Sequence, residues 1–124
     1  MRILHLDSEG GFGGSSRSLQ VLINELVQLK VEIEVWHAKE GPSNKKFSKL
    51  GINSRVNQNI SSIIPLPKNN IKNILLIFPK LLKLFKLANQ IIKFSPDILH
   101  LNYNGLLPVS FLLRRKGFKN KIIV

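Results

Sequence analysis

The sequence predicts an α/β fold: a Rossmann-like parallel sheet with helices on both faces. Two observations carry that prediction. Short apolar segments alternate with longer ones of helical apolar spacing, in the order strand, helix, strand, broken stretch, helix, strand, helix, strand. A glycine cluster, Gly10 to Gly14 around Phe12, stands where the first strand should turn into the first helix. Such alternation calls for right-handed crossovers between parallel strands and for helices covering both faces. At 124 residues, 1–124 reads as a single domain with one core.

Each element follows from its local pattern. RILHL, Arg2 to Leu6, reads as a buried strand. Leu19, Leu22, Ile23, Leu26, Val27 and Leu29 form a wide apolar stripe that predicts a helix over Ser15 to Lys30, with Ser15 or Ser16 as its N-cap. Val31, Ile33 and Val35 alternate with Glu32 and Glu34, which predicts the second strand. Residues 39–73 are rich in Pro, Asn, Ser and Lys and read as mobile loops. At most they hold a short helix near Asn44 to Leu50 and a short strand near Ser54 to Asn57. Pro79 fits the first turn of a helix whose interior is Lys80 to Phe94. A strand is expected at Ile98 to Asn102, then a helix with Pro108 near its start and Gly117 closing it. KIIV begins another strand.

Composition removes several function classes. Without cysteine there are no disulfides, thiolate metal sites or Cys nucleophiles, which suits a reducing, cytoplasmic interior. His5, His37 and His100 lie far apart in sequence, so no metal site is expected. The net charge of +12 rests on fourteen Lys and only five Arg. It can mark nucleic acid, an anionic membrane or an anionic substrate as partner, and an AT-rich coding bias explains it equally well. The cations are not interleaved with aromatic residues, so no nucleic-acid partner is expected. The apolar N-terminal run is too short for a signal peptide. The stretch from Ile71 to Phe94 is broken by Lys72, Pro79, Lys80, Lys83 and Lys86, which argues against a membrane span. Lys80, Lys83, Lys86, Gln90 and Lys93 recur every three or four residues beside Leu81, Leu84, Phe85, Ala88, Ile91 and Ile92. They form either the solvated face of a core helix or, through Lys80, Lys83, Lys86 and Lys93, a peripheral landing surface for anionic lipid at the inner face of the membrane.

The glycine cluster carries the chemistry. Glycine lets backbone approach a ligand closely, and the helix that follows offers unpaired N–H groups and partial positive charge to a phosphate or carboxylate. A flexible turn without a ligand is the plain alternative. No Lys follows these glycines, which excludes a Walker loop. Gly11-Phe12-Gly13-Gly14-Ser15-Ser16 ends in Ser, and Trp36-His37-Ala38 puts no acid at the tip of the second strand, which argues against NAD. Arg17, on the first helical turn, either reaches a phosphate or is solvated. Asp7 and Glu9 lack the third-strand Asp that a receiver-type metal site needs, so Asp7 reads as a cap for the loop. His100 and His5 lie inside strands and read as packed, hydrogen-bonded core histidines before catalytic bases.

The opening segment, MRILHLDSEGGFGGSSRSLQVLINELVQLKVEIEVWHA, resembles the start of the N-terminal, acceptor-side domain of GT-B glycosyltransferases of the family 4 type. SPDILHLNYNGLLPVSFLLRRKGFKNKIIV is similar to the later segment of that domain, in which a strand precedes a loop facing the cleft. The resemblance implies a retaining, metal-independent transfer from a nucleotide-sugar, with no cofactor, to a glycan or lipid-linked acceptor. It implies that Gly13 and Gly14, with Arg17, lie against the donor diphosphate, and that His100, Asn102, Tyr103 and Asn104 line the acceptor region. Ser16 replaces the Glu usual before the helix Arg, and Leu29-Lys30 replaces Gly-His before the second strand. The donor-binding C-terminal domain with its E-x7-E motif has no counterpart in these residues. The expectation is therefore an incomplete N-terminal domain, inactive alone, whose second half is either lost or supplied by a separate chain. The alternative class is a non-catalytic, truncated or partner-dependent binding domain.

Overall fold

The protein is described from a computed structural model covering residues 1–11, 13–60 and 71–124; Phe12 and the 61–70 part of the loop-rich stretch lie outside the described residues. Five strands, β1 (Arg2–Asp7), β2 (Glu32–His37), β3 (Asn53–Val56), β4 (Ile98–Leu101) and β5 (Lys121–Ile123), form one sheet in the order β3-β2-β1-β4-β5. Every pairing is parallel, as the alternation of elements requires. The helices are α1 (Gly14–Gln28), α2 (Pro42–Lys49), α3 (Ile71–Phe94) and α4 (Leu107–Arg115), the last preceded by a 3-10 turn at Asn104–Leu106.

β1 is the central strand, and its alternation divides the interior in two. Leu4 and Leu6 point to one face, where they join Trp36, Leu99 and Leu101 against Leu84, Leu87, Ala88 and Ile91 of α3 and Val109 and Leu113 of α4. On the opposite face Ile33 and Val35 pack with Leu19 and Ile23 of α1, Phe47 of α2 and Ile52. Each of the buried Leu, Ile and Val side chains contributes about 1.5–3 kcal/mol relative to exposure. His5 and Asp7 point to this second face, so its centre is polar although fully enclosed.

Several boundaries differ from the sequence expectation, each for a physical reason. α1 begins at Gly14, with Gly13 as an N-cap that makes no side-chain bond. Neither serine caps the helix, because Ser16 lies inside it and its hydroxyl is drawn to the buried Asp7 carboxylate. Leu22, Val27 and Leu29 are exposed, since a helix lying on one sheet face buries only a stripe about 100° wide. Within the loop-rich stretch, α2 and β3 form close to their expected places. α2 and α4 end alike: Ile52 N–H reaches Phe47 O and Phe118 N–H reaches Leu113 O, both at 3.0 Å, just beyond Gly51 and Gly117.

Pro79 is the main correction: it lies inside α3, which starts eight residues before it rather than at it. Pro79 is exposed, which puts the carbonyl it leaves without a partner on the solvent side, where water can satisfy it. The apolar side of α3 also divides. Leu84, Ala88 and Ile91 are buried as expected, whereas Leu81, Phe85 and Ile92 remain exposed.

Candidate functional site at the strand ends

The strand order places the reversal of winding at β1, and the loops after β1 and β4 flank the crevice at their carboxyl ends. The residues singled out in the glycine loop and after β4 converge there.

The organising group is Asp7, the last residue of β1, which is fully buried. Its Oδ2 accepts the Gly10 backbone N–H at 3.0 Å, the Ser16 hydroxyl at 3.3 Å and the His37 Nδ1–H at 3.1 Å. Asn102 Nδ2 approaches Oδ1 at 3.5 Å and donates to the Ser15 carbonyl at 3.0 Å. Asp7 therefore caps the loop, as the sequence suggests, and also joins the ends of β1, β2 and β4 to the first turn of α1. Burial alone would raise its carboxyl pKa. The hydrogen bonds from His37 and from the Gly10 backbone, with the His37 charge, outweigh that and hold it below the usual value. A carboxylate only accepts, so His37 carries its proton on Nδ1, while Nε2 lies 3.0 Å from the Ser54 hydroxyl.

The glycines do two different jobs. Gly10 has φ +92, and a Cβ there would strike the Lys39 backbone carbonyl; a Cβ on Gly41 would strike the Gly10 carbonyl. These two glycines let the loop after β1 pack backbone to backbone on the loop after β2. Ser43 fastens them, its N–H reaching Gly10 O at 3.3 Å and its hydroxyl reaching Gly11 O at 2.9 Å. Gly13 and Gly14 are free of that packing. Above Gly14, the exposed first residue of α1, a Cβ would meet nothing within 4 Å, and near Gly13 stands the exposed side chain of Glu9, with Oε2 2.7 Å from the Cβ position. Arg17 is exposed one turn later, its N–H bonded to the Gly13 carbonyl at 3.0 Å. α1 thus starts at two residues without side chains, with the Glu9 carboxylate near Gly13 and the Arg17 cation one turn on.

Of the residues expected to line an acceptor region, Tyr103 and Asn104 are exposed at the start of the 3-10 turn. Asn102 is half-buried and its amide is engaged with α1, so it sits on the donor-loop side of the crevice. His100 is half-buried beside His5, with Nδ1 atoms 2.9 Å apart and rings edge to face. Burial, then the neighbouring His100, lowers the His5 pKa to about 3, and burial lowers that of His100. Both act as packed strand histidines in this geometry.

His37, Ser16, Gly41 and Ser43 belong to the same assembly, and the sequence assigns none of them to the site. The signal for His37 is its position: it ends β2 in direct register with Asp7. An open cavity of about 500 Å³ lies at the β3 edge, lined by Glu40, Lys45, Lys49, Ser54 and Arg55 among others.

Neither a family model nor a curated protein matches the sequence. Solved structures do. The apo form of the lipopolysaccharide outer core galactosyltransferase WaaB matches with TM-score 0.63 and 19% identity over 98% of this chain and 32% of that one. HepE from Anabaena, in complex with UDP and glucose, matches with TM-score 0.56 and 20% identity over 92% of this chain and 28% of that one. Glycinamide ribonucleotide transformylase 1 from Symbiobacterium toebii matches with TM-score 0.50 and 14% identity over 98% of this chain and 49% of that one. The chain spans about a third of the length of the two glycosyltransferases. Since the same layers also occur in a transformylase, likeness at these identities speaks for fold and leaves the reaction to the site. The chain has the all-parallel, Rossmann-like fold of the N-terminal domain of a GT-B glycosyltransferase.

Proposed function

We propose that this chain is the acceptor-side part of a cytoplasmic glycosyltransferase that uses a nucleotide-sugar donor, and that its share of the reaction is to bind. The observation that carries the reading is the division of labour among the glycines. Gly10 and Gly41 are required by packing, whereas a Cβ at Gly14 would stand in open space and one at Gly13 would meet the exposed Glu9 side chain. N–H groups at a helix start, with Arg17 one turn on, suit the diphosphate of such a donor. HepE, which shares the fold, is solved with UDP-glucose, and that supports a uridine diphosphate sugar as the first donor to try.

In the transfer, negative charge grows on the departing diphosphate while the sugar acquires cationic character. The α1 terminus and Arg17 would stabilise the leaving group without a metal or cofactor, in keeping with the retaining transfer that the resemblance implies. Tyr103 and Asn104, exposed after β4, would stand on the acceptor side, with His100 and Asn102 behind them. A glycan or lipid-linked alcohol is the acceptor class proposed. Excluding water and orienting the sugar requires an opposite wall to the cleft, and we assign that part to a second domain or chain.

Gly14→Val tests the reading. The new side chain stands in open space, so the fold and melting temperature should be kept, while UDP-glucose affinity should fall at least tenfold, about 1.4 kcal/mol. Unchanged affinity would remove the loop from the donor site.

A further inference from the structure

Three side chains form a hydrogen-bonded line from the centre of the sheet to its β3 edge. Asp7 Oδ2 lies 3.1 Å from His37 Nδ1, and His37 Nε2 lies 3.0 Å from the Ser54 hydroxyl. Asp7 takes the Nδ1 proton, and Phe47 stacks on the imidazole with ring centres 5.7 Å apart, so the ring is fixed in one orientation. Nε2 is then the lone-pair nitrogen, and the Ser54 O–H donates to it. A carboxylate, an imidazole and a hydroxyl in that order are the parts that make a serine oxygen nucleophilic.

The far end of the line is open. Asp7 and His37 are fully buried, whereas Ser54 is half-buried and lines the cavity of about 500 Å³ formed by α2 and β3. β3 is the edge strand among the described residues. In its parallel ladder with β2, Asn57 N–H reaches His37 O at 2.7 Å, and Ser54 stands opposite Val35. Alternate residues turn to opposite sides of a strand, so Ser54 directs its own N–H outward from the sheet edge. The hydroxyl thus has beside it a backbone donor for the oxygen of a carbonyl under attack. Apart from Val56 the cavity wall is polar. Lys45 and Lys49 are exposed there without a salt bridge among the described residues, whereas Arg55 is held by Glu34 at 3.2 Å. Such a wall suits a short, negatively charged molecule rather than a long acyl chain.

We propose that Asp7, His37 and Ser54 form an acyl-transfer triad, with Ser54 the nucleophile toward short carboxylic esters that carry negative charge. Ser54 Oγ bonds to the ester carbonyl carbon as its proton passes to His37 Nε2. The bond from that carbon to the alcohol oxygen then breaks, and the alcohol leaves with the proton from Nε2. Water cleaves the acyl-Ser54 ester, giving the acid and restoring the hydroxyl. Asp7 stays ionised, supported by the Gly10 N–H and the Ser16 hydroxyl. Because His37 is fully buried, water reaches Nε2 only past the acylated Ser54, so the second step should be slow and the acyl form should accumulate. Gly13, Gly14 and Arg17 take no part, so the proposal is independent of the donor reading.

The chain mixed with 4-nitrophenyl acetate, or with the anionic mono-4-nitrophenyl succinate, tests it without any nucleotide-sugar. Wild type should release a burst of about one nitrophenolate per chain, with the acyl group found on Ser54 by peptide mass mapping. The succinate ester should react faster, and Lys45→Gln with Lys49→Gln should remove that preference. Ser54→Ala should abolish the burst at an unchanged melting temperature. Ser54→Cys supplies a readout free of any substrate, since the chain has no cysteine of its own. Its thiol should titrate well below the ordinary value of ~8.5 and react with iodoacetamide at pH 6.5 at least tenfold faster than that of Ser48→Cys. Ser48 lines the same cavity among the same lysines but makes its bond to the Asn44 carbonyl, with no histidine. Equal alkylation of the two thiols would leave His37 and Ser54 as a structural pair and overturn the proposal. So would the absence of a burst, a burst that Ser54→Ala retains, or acylation of another residue.

Discussion

The Nδ1 atoms of His5 and His100 face each other at 2.9 Å across the β1–β4 pair, where the two residues are in direct register. At that distance only one of the two nitrogens can carry a proton. His5 Nε2 is buried without a partner among the described residues. The arrangement that costs least has His5 Nδ1–H donating to His100, because Nε2 is then a bare acceptor rather than an orphaned donor. A second proton on the pair would set two N–H groups head to head inside the sheet.

Stability should therefore fall in mild acid. Both histidines have folded pKa values below their unfolded ones, that of His5 at about 3 against an ordinary value of 6.5. The unfolded chain then binds more protons than the folded one between those limits. The stabilisation is complete above pH 6.5 or so and is lost as pH falls toward 3, by at most about 1.4 kcal/mol per pH unit for each group. Asp7, also lowered, acts in the same direction below its unfolded value near pH ~3.9. Denaturation midpoints measured from pH 7.5 down to pH 4.5 should decline, and His5→Leu should flatten that decline. An equally steep decline in the variant would remove the pair as its source.

Gly10 and Gly14 should respond oppositely to alanine. Gly10→Ala meets positive φ and the Lys39 carbonyl, so a loss of about 2–3 kcal/mol is expected. Gly14→Ala adds a methyl in open space at the first turn of α1 and should change stability by no more than about 1 kcal/mol, in the stabilising direction. Urea denaturation of the two variants gives the comparison. Equal effects would mean that the division between packing glycines and free glycines is wrong.

How much of this is visible in the sequence varies with the range of the interaction. Alternation of period reveals β1, α1, β2 and β4, because each carries its apolar pattern within its own few residues. Pro79 misleads because its preference for a first helical turn is a local rule. The helix continues through it from Ile71, with Pro79 on the exposed side, where water can satisfy the freed carbonyl. The Asp7 assembly is half visible. The loop-capping role follows from its place before Gly10, but the bond to His37 depends on the β1–β2 register, which no local pattern fixes. The close approach of Gly10 and Gly41 joins loops about thirty residues apart and has no sequence signal beyond glycine itself. Phe85 of α3 reads as part of the apolar face in the sequence yet is exposed, because periodicity identifies an apolar face without saying whether anything covers it.

The claim that the start of α1 holds the donor phosphates is tested most directly by amide correlation spectra of the chain as UDP-glucose is added to roughly millimolar concentration. The account predicts saturable shifts concentrated at Gly13, Gly14, Ser15, Ser16 and Arg17. No movement of those amides, or larger shifts at Lys45, Lys49 and Arg55 around the β3-edge cavity, would contradict it.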